Sequence, residues 1–380
     1  MDLLQTIAAF VLQYGLRVLG IGPLQRDRVV LWSYFGKQYS CNPKYLSEYL
    51  EGHCPELRVV WAFEDPDAHA DLRARGVEVV RINTARFVRL CLTSRFLITN
   101  SELPAWLPIA SRQMLINTWH GGGAYKRVGK DFHKASRWRD LRSAIGRSKP
   151  VVYLSSSAAF TQLTLRESFQ HTGEVIDSGM PRNDVLVTGP DPQLTASVRT
   201  ALGVSSKSHI VLYAPTYRED REASSYLFDA GLVRAALAET FGGEWTLLLR
   251  MHYLVMKELP ASEDYLDASS YPDMQELLAA SDVLITDYSS SIWDFGLTGR
   301  PCFLYAPDLE EYDQDRGFYS DIRTWPWPLA TSNEQLARNI RRFDENAYAR
   351  RLARHYDELG SYERGTACQT VATYLMEHRD

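Results

Sequence analysis

The sequence predicts an α/β protein of two domains, each a parallel β-sheet wound with helices, facing each other across a cleft. Three observations carry this. Short apolar runs rich in Val, Ile and Leu alternate with helical patterns along most of the chain, as βαβ units require. The 380 residues exceed what one hydrophobic core ordinarily holds. The same alternation resumes after the turn Gly179-Met180-Pro181-Arg182-Asn183-Asp184, so the pattern falls into two halves.

Taken in order, Met1 to Val18 places Leu4, Ile7, Val11, Tyr14 and Val18 on one helical face, interrupted by Asp2, Gln5, Gln13 and Arg17. A membrane span wants about 20 predominantly apolar residues, so this helix is too polar to cross. Docking on the protein itself and lying on a bilayer surface both fit it. No secretory cleavage signature is present. Strands are expected at Val29–Trp32, Val59–Phe63, Val77–Ile82, Phe96–Thr99, Met114–Asn117, Val151–Ser155 and Glu174–Ser178, with helices at Pro43–Leu50, Ala68–Arg75, Thr84–Thr93 and Ala158–Phe169. The second half gives strands at Ile210–Ala214, Thr246–Leu249, Val283–Thr286 and Cys302–Tyr305, with helices near Leu232–Phe241, at Met274–Ala280 and from the serines after Tyr288 through Leu297. Gly299 and Pro301 sit where residues just past a helix C-terminus are expected.

Composition narrows the function. The chain is 45% hydrophobic and 23% charged, with a formal net charge of −5, which argues against a general nucleic-acid binder. Five scattered cysteines without CxxC spacing point to a reduced, cytosolic protein with no structural zinc. Between Lys126 and Lys149, however, nine lysines and arginines (Lys126, Arg127, Lys130, Lys134, Arg137, Arg139, Arg142, Arg147 and Lys149) face two aspartates, interleaved with Phe132, Trp138 and Leu141. A solvated basic helix and a patch for an anionic membrane or polyanionic acceptor both fit.

In open parallel sheets ligands bind beyond the carboxyl ends of the strands, so the polar insertions there are the candidate chemistry. Asn117-Thr118-Trp119-His120-Gly121-Gly122-Gly123 places an imidazole, the natural proton acceptor near neutral pH, beside glycines where backbone can approach a ligand. Leu249-Arg250-Met251-His252 delivers a cation and a second imidazole. Tyr213-Ala214-Pro215-Thr216-Tyr217-Arg218 makes Arg218 available, and Arg182 either reaches the cleft or ties the hinge with Asp184. Asp287-Tyr288-Ser289-Ser290-Ser291 opens a helix, where the serines either cap it or hold a phosphate.

These motifs, TWHGGG, GMPRND, YAPTYRE, RMH and SDVLITDYSSSIWDFGLTGRPCFLYAPDLEEYDQDRGFY, resemble those of the CDP-glycerol glycerophosphotransferase family of teichoic-acid and capsule synthesis, over about Val29 to Asp321. The resemblance implies a GT-B-like pair of Rossmann-type domains, residues 21–186 on the acceptor and membrane side and 187–350 binding the CDP-alcohol, flanked by an N-terminal amphipathic helix (1–20) and a C-terminal helical segment (351–380). It implies transfer of glycerol phosphate from CDP-glycerol to a hydroxyl of a lipid-linked or polymer acceptor, releasing CMP. A CDP-ribitol-dependent transferase and a nucleotide-sugar glycosyltransferase are the alternatives.

By the same resemblance, His120 takes the acceptor's proton and His252 sits on the donor pyrophosphate. Gly121, Arg182, Asn183, Thr216, Arg218, Arg250, Asp287, Ser289, Ser290 and Arg316 are then the substrate-binding candidates. Lys126, Arg127, Lys130, Lys134, Arg137, Trp138 and Arg139 form the membrane or acceptor patch, on a peripheral protein at the cytoplasmic face of the plasma membrane. No metal and no cofactor is implied, and Asp65-Pro66-Asp67 and Asp313-Gln314-Asp315 read as surface turns. The chain departs from the family pattern at Tyr253, where proline often follows the second histidine, and at Gly123-Ala124-Tyr125, where a proline and a leucine are usual.

Overall fold

Among the described residues thirteen strands are built from the apolar runs, and every pairing between them is parallel. The computed structural model describes residues 11–16, 22–104, 106–131, 149–216, 228–251, 264–315 and 317–380. It divides into two units. The first comprises residues 1–120, 128–184 and 362–380, and the second 121–127 and 185–361.

The first unit holds β1 (Gln25–Trp32), β2 (Arg58–Phe63), β3 (Glu78–Arg81), β4 (Ser94–Thr99), β5 (Met114–Asn117), β6 (Val151–Leu154) and β7 (Val175–Ile176), in the order β3-β2-β1-β4-β5-β6-β7. Strand side chains alternate between faces. Val29 and Leu31 therefore enter one core, with Trp61, Phe63, Leu46 and Leu50, while Val30 and Trp32 enter another with Phe87 and Leu90. Both faces are covered, which is why these strands read as unbroken apolar runs. Val371 and Leu375 of the C-terminal helix Ala367–Glu377 complete the first of these cores. That packing takes 362–380, inside the expected C-terminal segment, into the first unit.

The second unit holds β8 (Ser208–Tyr213), β9 (Glu244–Leu249), β10 (Leu266–Asp267), β11 (Val283–Thr286), β12 (Cys302–Tyr305) and β13 (Leu329–Ala330), in the order β10-β9-β8-β11-β12-β13. Ile210, Leu212, Leu284 and Leu304 pack on one face with Leu277, Trp293 and Phe295; Val211, Tyr213, Ile285 and Phe303 pack on the other with Val233, Leu237, Leu336 and Ile340. Three of its helices start at aspartate side-chain caps: Asp229 accepts from Leu232 N, Asp273 from Gln275 N and Asp344 from Ala347 N. Tyr125 lies in the first of these cores, which takes 121–127, inside the expected first domain, into the second unit.

Both sheets share the 3-2-1-4-5-6 order of dinucleotide-binding folds, with the direction of winding reversing between β1 and β4 and between β8 and β11. Two expected helices differ in detail. Ala68–Arg75 is a 3-10 turn, Pro66–His69, followed by the short helix Ala70–Ala74. Phe160–Ser168 is wound as a π-helix, with Phe169 N donating to Thr164 O. Asp65 and Asp67 are exposed and pair with Arg81 and Arg73, as a surface turn would. Among the described residues no helix is long and apolar enough to cross a membrane. In the N-terminal segment, residues 11–16 are helical, with Leu16 against the first unit's core and Val11 and Tyr14 exposed. Residues 1–10 and 17–21 of that expected helix lie outside the described residues.

Candidate active site

In the first unit the reversal point between β1 and β4 is occupied by polar side chains. Buried Asn100, just past β4, is the node. Its Nδ2 donates to Ser33 Oγ at 3.0 Å, its Oδ1 accepts from Tyr34 N at 2.8 Å, and its carbonyl lies 2.9 Å from His120 Nδ1. A carbonyl can only accept, so Nδ1 carries the proton and the lone pair resides on Nε2. The half-buried His120 ring stacks on Trp119 at 4.2 Å and packs against Tyr34 at 5.8 Å. An imidazole so fixed presents a basic nitrogen in one orientation.

The loop carrying His120 is held by residues from far away in sequence. Asn117 Oδ1 accepts from Trp119 N at 2.9 Å, and Asn42 Nδ2 donates to the carbonyls of Thr118 and Trp119. Arg182, expected to face a ligand or tie a hinge, is 3% exposed. Its Nη1 donates to His120 O at 2.7 Å and lies 3.2 Å from Cys41 Sγ, and its backbone N donates to Asn42 Oδ1. Asn183, also expected to bind substrate, is fully buried and donates to Glu363 Oε1 at 2.9 Å. Burial raises the Asp184 carboxyl, which accepts from Ala367 N and Cys368 N and so caps the C-terminal helix. The motif is thus buried, with Arg182 bonded to the His120 carbonyl and Asn183 to Glu363.

The glycines that follow have a packing reason. A Cβ on Gly122 would stand 2.3 Å from Trp293 Cδ1, and one on Gly123 would stand 2.1 Å from the Tyr125 ring. Aromatic rings therefore stand close to these two glycines. Gly121 is buried beside them. Tyr125 is pinned by its hydroxyl, 2.8 Å from His355 Nε2, and by its carbonyl, which accepts from Tyr319 N.

In the second unit the loops after β8 and β11 meet. Asp287 is buried, and its carboxylate accepts from Thr216 N at 2.9 Å and from Thr216 Oγ1 at 2.7 Å. Both expected ligand residues are thereby joined to each other. Ser289 Oγ lies 2.9 Å from Ser291 Oγ, and Ser290, at the start of helix Ser291–Gly296, makes no side-chain cap. Ser289 and Ser290 are half-buried. Arg250 Nη1 donates to Tyr271 O at 2.6 Å. His252, Arg218 and Arg316 lie outside the described residues.

Of the basic stretch, Arg127 and Lys130 are exposed and Lys126 bridges to Phe318. Lys149 is buried and donates to Pro104 O at 3.0 Å, so that cation is structural. Lys134, Arg137, Trp138 and Arg139 lie outside the described residues. Sequence reading missed Asn42, Asn100 and Glu363. Asn100 alone carried a signal, as a polar residue directly after a strand.

A family model described as CDP-Glycerol:Poly(glycerophosphate) glycerophosphotransferase matches residues 16–377. The teichoic acid poly(glycerol phosphate) polymerase of Staphylococcus epidermidis is 32% identical over 369 residues, 93% of this chain and 50% of that relative. The chain thus spans half that relative's length. The teichoic acid poly(glycerol phosphate) polymerase of Bacillus spizizenii is 30% identical over 375 residues, covering 95% of this chain and 94% of that one. A solved structure of the wall teichoic acid polymerase TagF, a histidine-to-asparagine variant with CDPG soaked in, superposes with a TM-score of 0.82 at 29% identity, covering 100% of this chain and 97% of the other. With two all-parallel sheets, the fold is the GT-B-like α/β arrangement expected.

Proposed function

Since the chain belongs to the CDP-glycerol:poly(glycerophosphate) glycerophosphotransferase family, we propose that it transfers glycerol phosphate from CDP-glycerol to the hydroxyl of a lipid-linked or polymer acceptor in teichoic acid or capsule synthesis. The acceptor oxygen attacks the phosphorus of the glycerol phosphate, the bond from that phosphorus to the bridging oxygen breaks, and CMP leaves with the bridging oxygen. His120 Nε2 takes the proton that the acceptor hydroxyl loses. The observation that carries this is the 2.9 Å contact from His120 Nδ1 to the Asn100 carbonyl, which leaves Nε2 as the base.

The donor falls to the second unit. Thr216, Ser289 and Ser290 stand at the carboxyl ends of β8 and β11, where that sheet reverses, which supports the two serine hydroxyls as phosphate ligands; Thr216, whose Oγ1 donates to Asp287, ties together the loops that carry them. His252, with Arg218, Arg250 and Arg316, supplies positive charge to the pyrophosphate and the departing CMP. Positioning and charge stabilisation provide most of the acceleration, as in phosphoryl transfer generally.

The test is CMP release, with products weighed by mass, on incubation with CDP-glycerol, CDP-ribitol or a UDP-sugar and a lipid-linked acceptor. Turnover of CDP-glycerol alone is expected. Turnover of UDP-sugars alone would sink the reading, and preference for CDP-ribitol would move it to the neighbouring donor. Attachment to an anionic membrane through the basic stretch is the accompanying proposal. Charge reversal of Lys134, Arg137 and Arg139 should reduce binding to anionic liposomes, and unchanged binding removes it.

A further inference from the structure

The loop after β1 carries a feature that the proton transfer does not use. Tyr34, Phe35 and Gly36 have φ of 45°, 61° and 89°, so two residues with side chains stand consecutively in the left-handed region that favours glycine. Neighbours on several sides hold the loop in this shape. Tyr34 N donates to Asn100 Oδ1 at 2.8 Å, Phe35 N to Ser101 Oγ at 3.4 Å, Gly36 N to Ser33 O at 2.9 Å, and Gly36 O accepts from Glu64 N at 2.8 Å. The outcome is a Phe35 side chain that is 53% exposed. Neither burial nor backbone preference accounts for phenylalanine here, since glycine would suit the backbone better and would expose no aromatic ring.

Its place accounts for it. The preceding residue, Tyr34, packs its ring on that of His120, and Ser101, which holds Phe35 N, follows directly on Asn100, whose carbonyl fixes His120. A molecule that brings a hydroxyl to His120 comes to the ring against which Tyr34 packs, and Phe35 is the next residue along this loop. We infer that Phe35 is an acceptor-contact residue, whose ring takes the C–H face of the unit that bears the attacking hydroxyl. An aromatic face suits aliphatic C–H groups and gives nothing to a phosphate, so it selects the carbon skeleton next to the hydroxyl. This rests on the reading that His120 deprotonates the acceptor.

The experiment compares the wild type with Phe35→Ala, Phe35→Gly and Phe35→Tyr, using CDP-glycerol and a synthetic oligo(glycerol phosphate) acceptor, with CMP release as the readout. Phe35→Ala and Phe35→Gly should raise the acceptor KM by about tenfold, in line with an aromatic contact of ordinary strength. The KM for CDP-glycerol should stay where it is, and Phe35→Tyr should restore the acceptor KM. The thermal midpoint of Phe35→Gly should equal or exceed that of the wild type, because the left-handed strain is relieved. An unchanged acceptor KM in both truncations, or a lowered midpoint with both KM values raised, overturns the inference while leaving the reaction intact. A wild type that releases no CMP with this acceptor overturns the underlying reading and this inference with it.

Discussion

The strand ends of the two units are built in different ways. All six described non-glycine residues with positive φ (Tyr34, Phe35, Cys41, Asn83, Trp119 and Gln170) belong to the first unit; in the second, only glycines take that conformation among the described residues. Two of the six pack on one imidazole, Tyr34 and Trp119 against the His120 ring; of the others, Phe35 follows Tyr34 in the chain, and Cys41 shares Arg182 with the His120 carbonyl. In the second unit the loops after β8 and β11 are joined by ordinary hydrogen bonds to one buried carboxylate, Asp287. Strain of this kind persists only where surroundings over-determine it, and it marks places where side chains must be aimed. On the function proposed above, this contrast corresponds to a first unit that aims a base and a second that holds the donor.

The largest test of that contrast is His120→Ala. If the first unit aims a general base, kcat should fall by about 10² to 10⁴, with the thermal midpoint nearly unchanged because the ring is only half-buried. Undiminished turnover would remove His120 from the chemistry. Next in size is a matched pair, one variant from each unit. Arg182→Met keeps the length of the side chain but withdraws a buried charged donor from the His120 carbonyl. It should cost about 2–4 kcal/mol of stability and lower kcat with little change in the KM for CDP-glycerol. Asp287→Ala releases Thr216 from its carboxylate and should cost about 1–3 kcal/mol, but it should raise the KM for CDP-glycerol. If both variants move the same kinetic parameter, the division between aiming and holding fails.

Much of this architecture was legible beforehand, for a physical reason. Met114–Asn117, Met274–Ala280, Val283–Thr286 and Cys302–Tyr305 lie at the residues expected, because buried parallel strands and their covering helices are continuous apolar runs closed by turn residues. β10 and β13 are two residues long, too short for any period to show. Helix Glu345–Glu358 buries only Tyr348 and Leu352, so its pattern is faint. His120 stood out as an imidazole at a strand end. Its supports did not, because they are tertiary: Asn42 reaches Thr118 across 76 positions, and Arg182 reaches His120 across 62. The glycine run was visible but its partner was not, since only the folded chain brings Trp293 against Gly122.

A pH titration sharpens the contrast from the other side, because the second unit has a titratable anchor. Burial pushes the His355 imidazole down to about 4, with Glu358 opposing weakly, while burial raises the Tyr125 phenol well above its ordinary range. Neutral His355 therefore accepts from the Tyr125 hydroxyl. The folded pKa lies below the unfolded value near 6.5, so stability is complete above pH 6.5. It is lost as pH falls toward 4, where the unfolded chain takes a proton that the folded chain refuses. The loss should be about 2–3 kcal/mol. His355→Gln should flatten that part of a stability-against-pH curve measured by urea unfolding; an unaltered slope would place the titration elsewhere.

The smallest effect asks whether left-handed strain in the first unit matters wherever it occurs. Gln170 stands two residues past the π-helix Phe160–Ser168 with φ of 55°, exposed, at the position where helices commonly place glycine. Phe169 beside it packs on Trp119. Gln170→Gly should stabilise the fold by about 0.5–1 kcal/mol and leave kcat and both KM values alone. At Phe35 the same exchange of side chain for glycine should separate stability from acceptor binding. If Gln170→Gly also weakens the acceptor, left-handed backbone in this unit is a general condition of its activity, and the strain around His120 loses its special meaning. If only Phe35→Gly does so, the strain that matters is confined to the loop whose Tyr34 packs on His120.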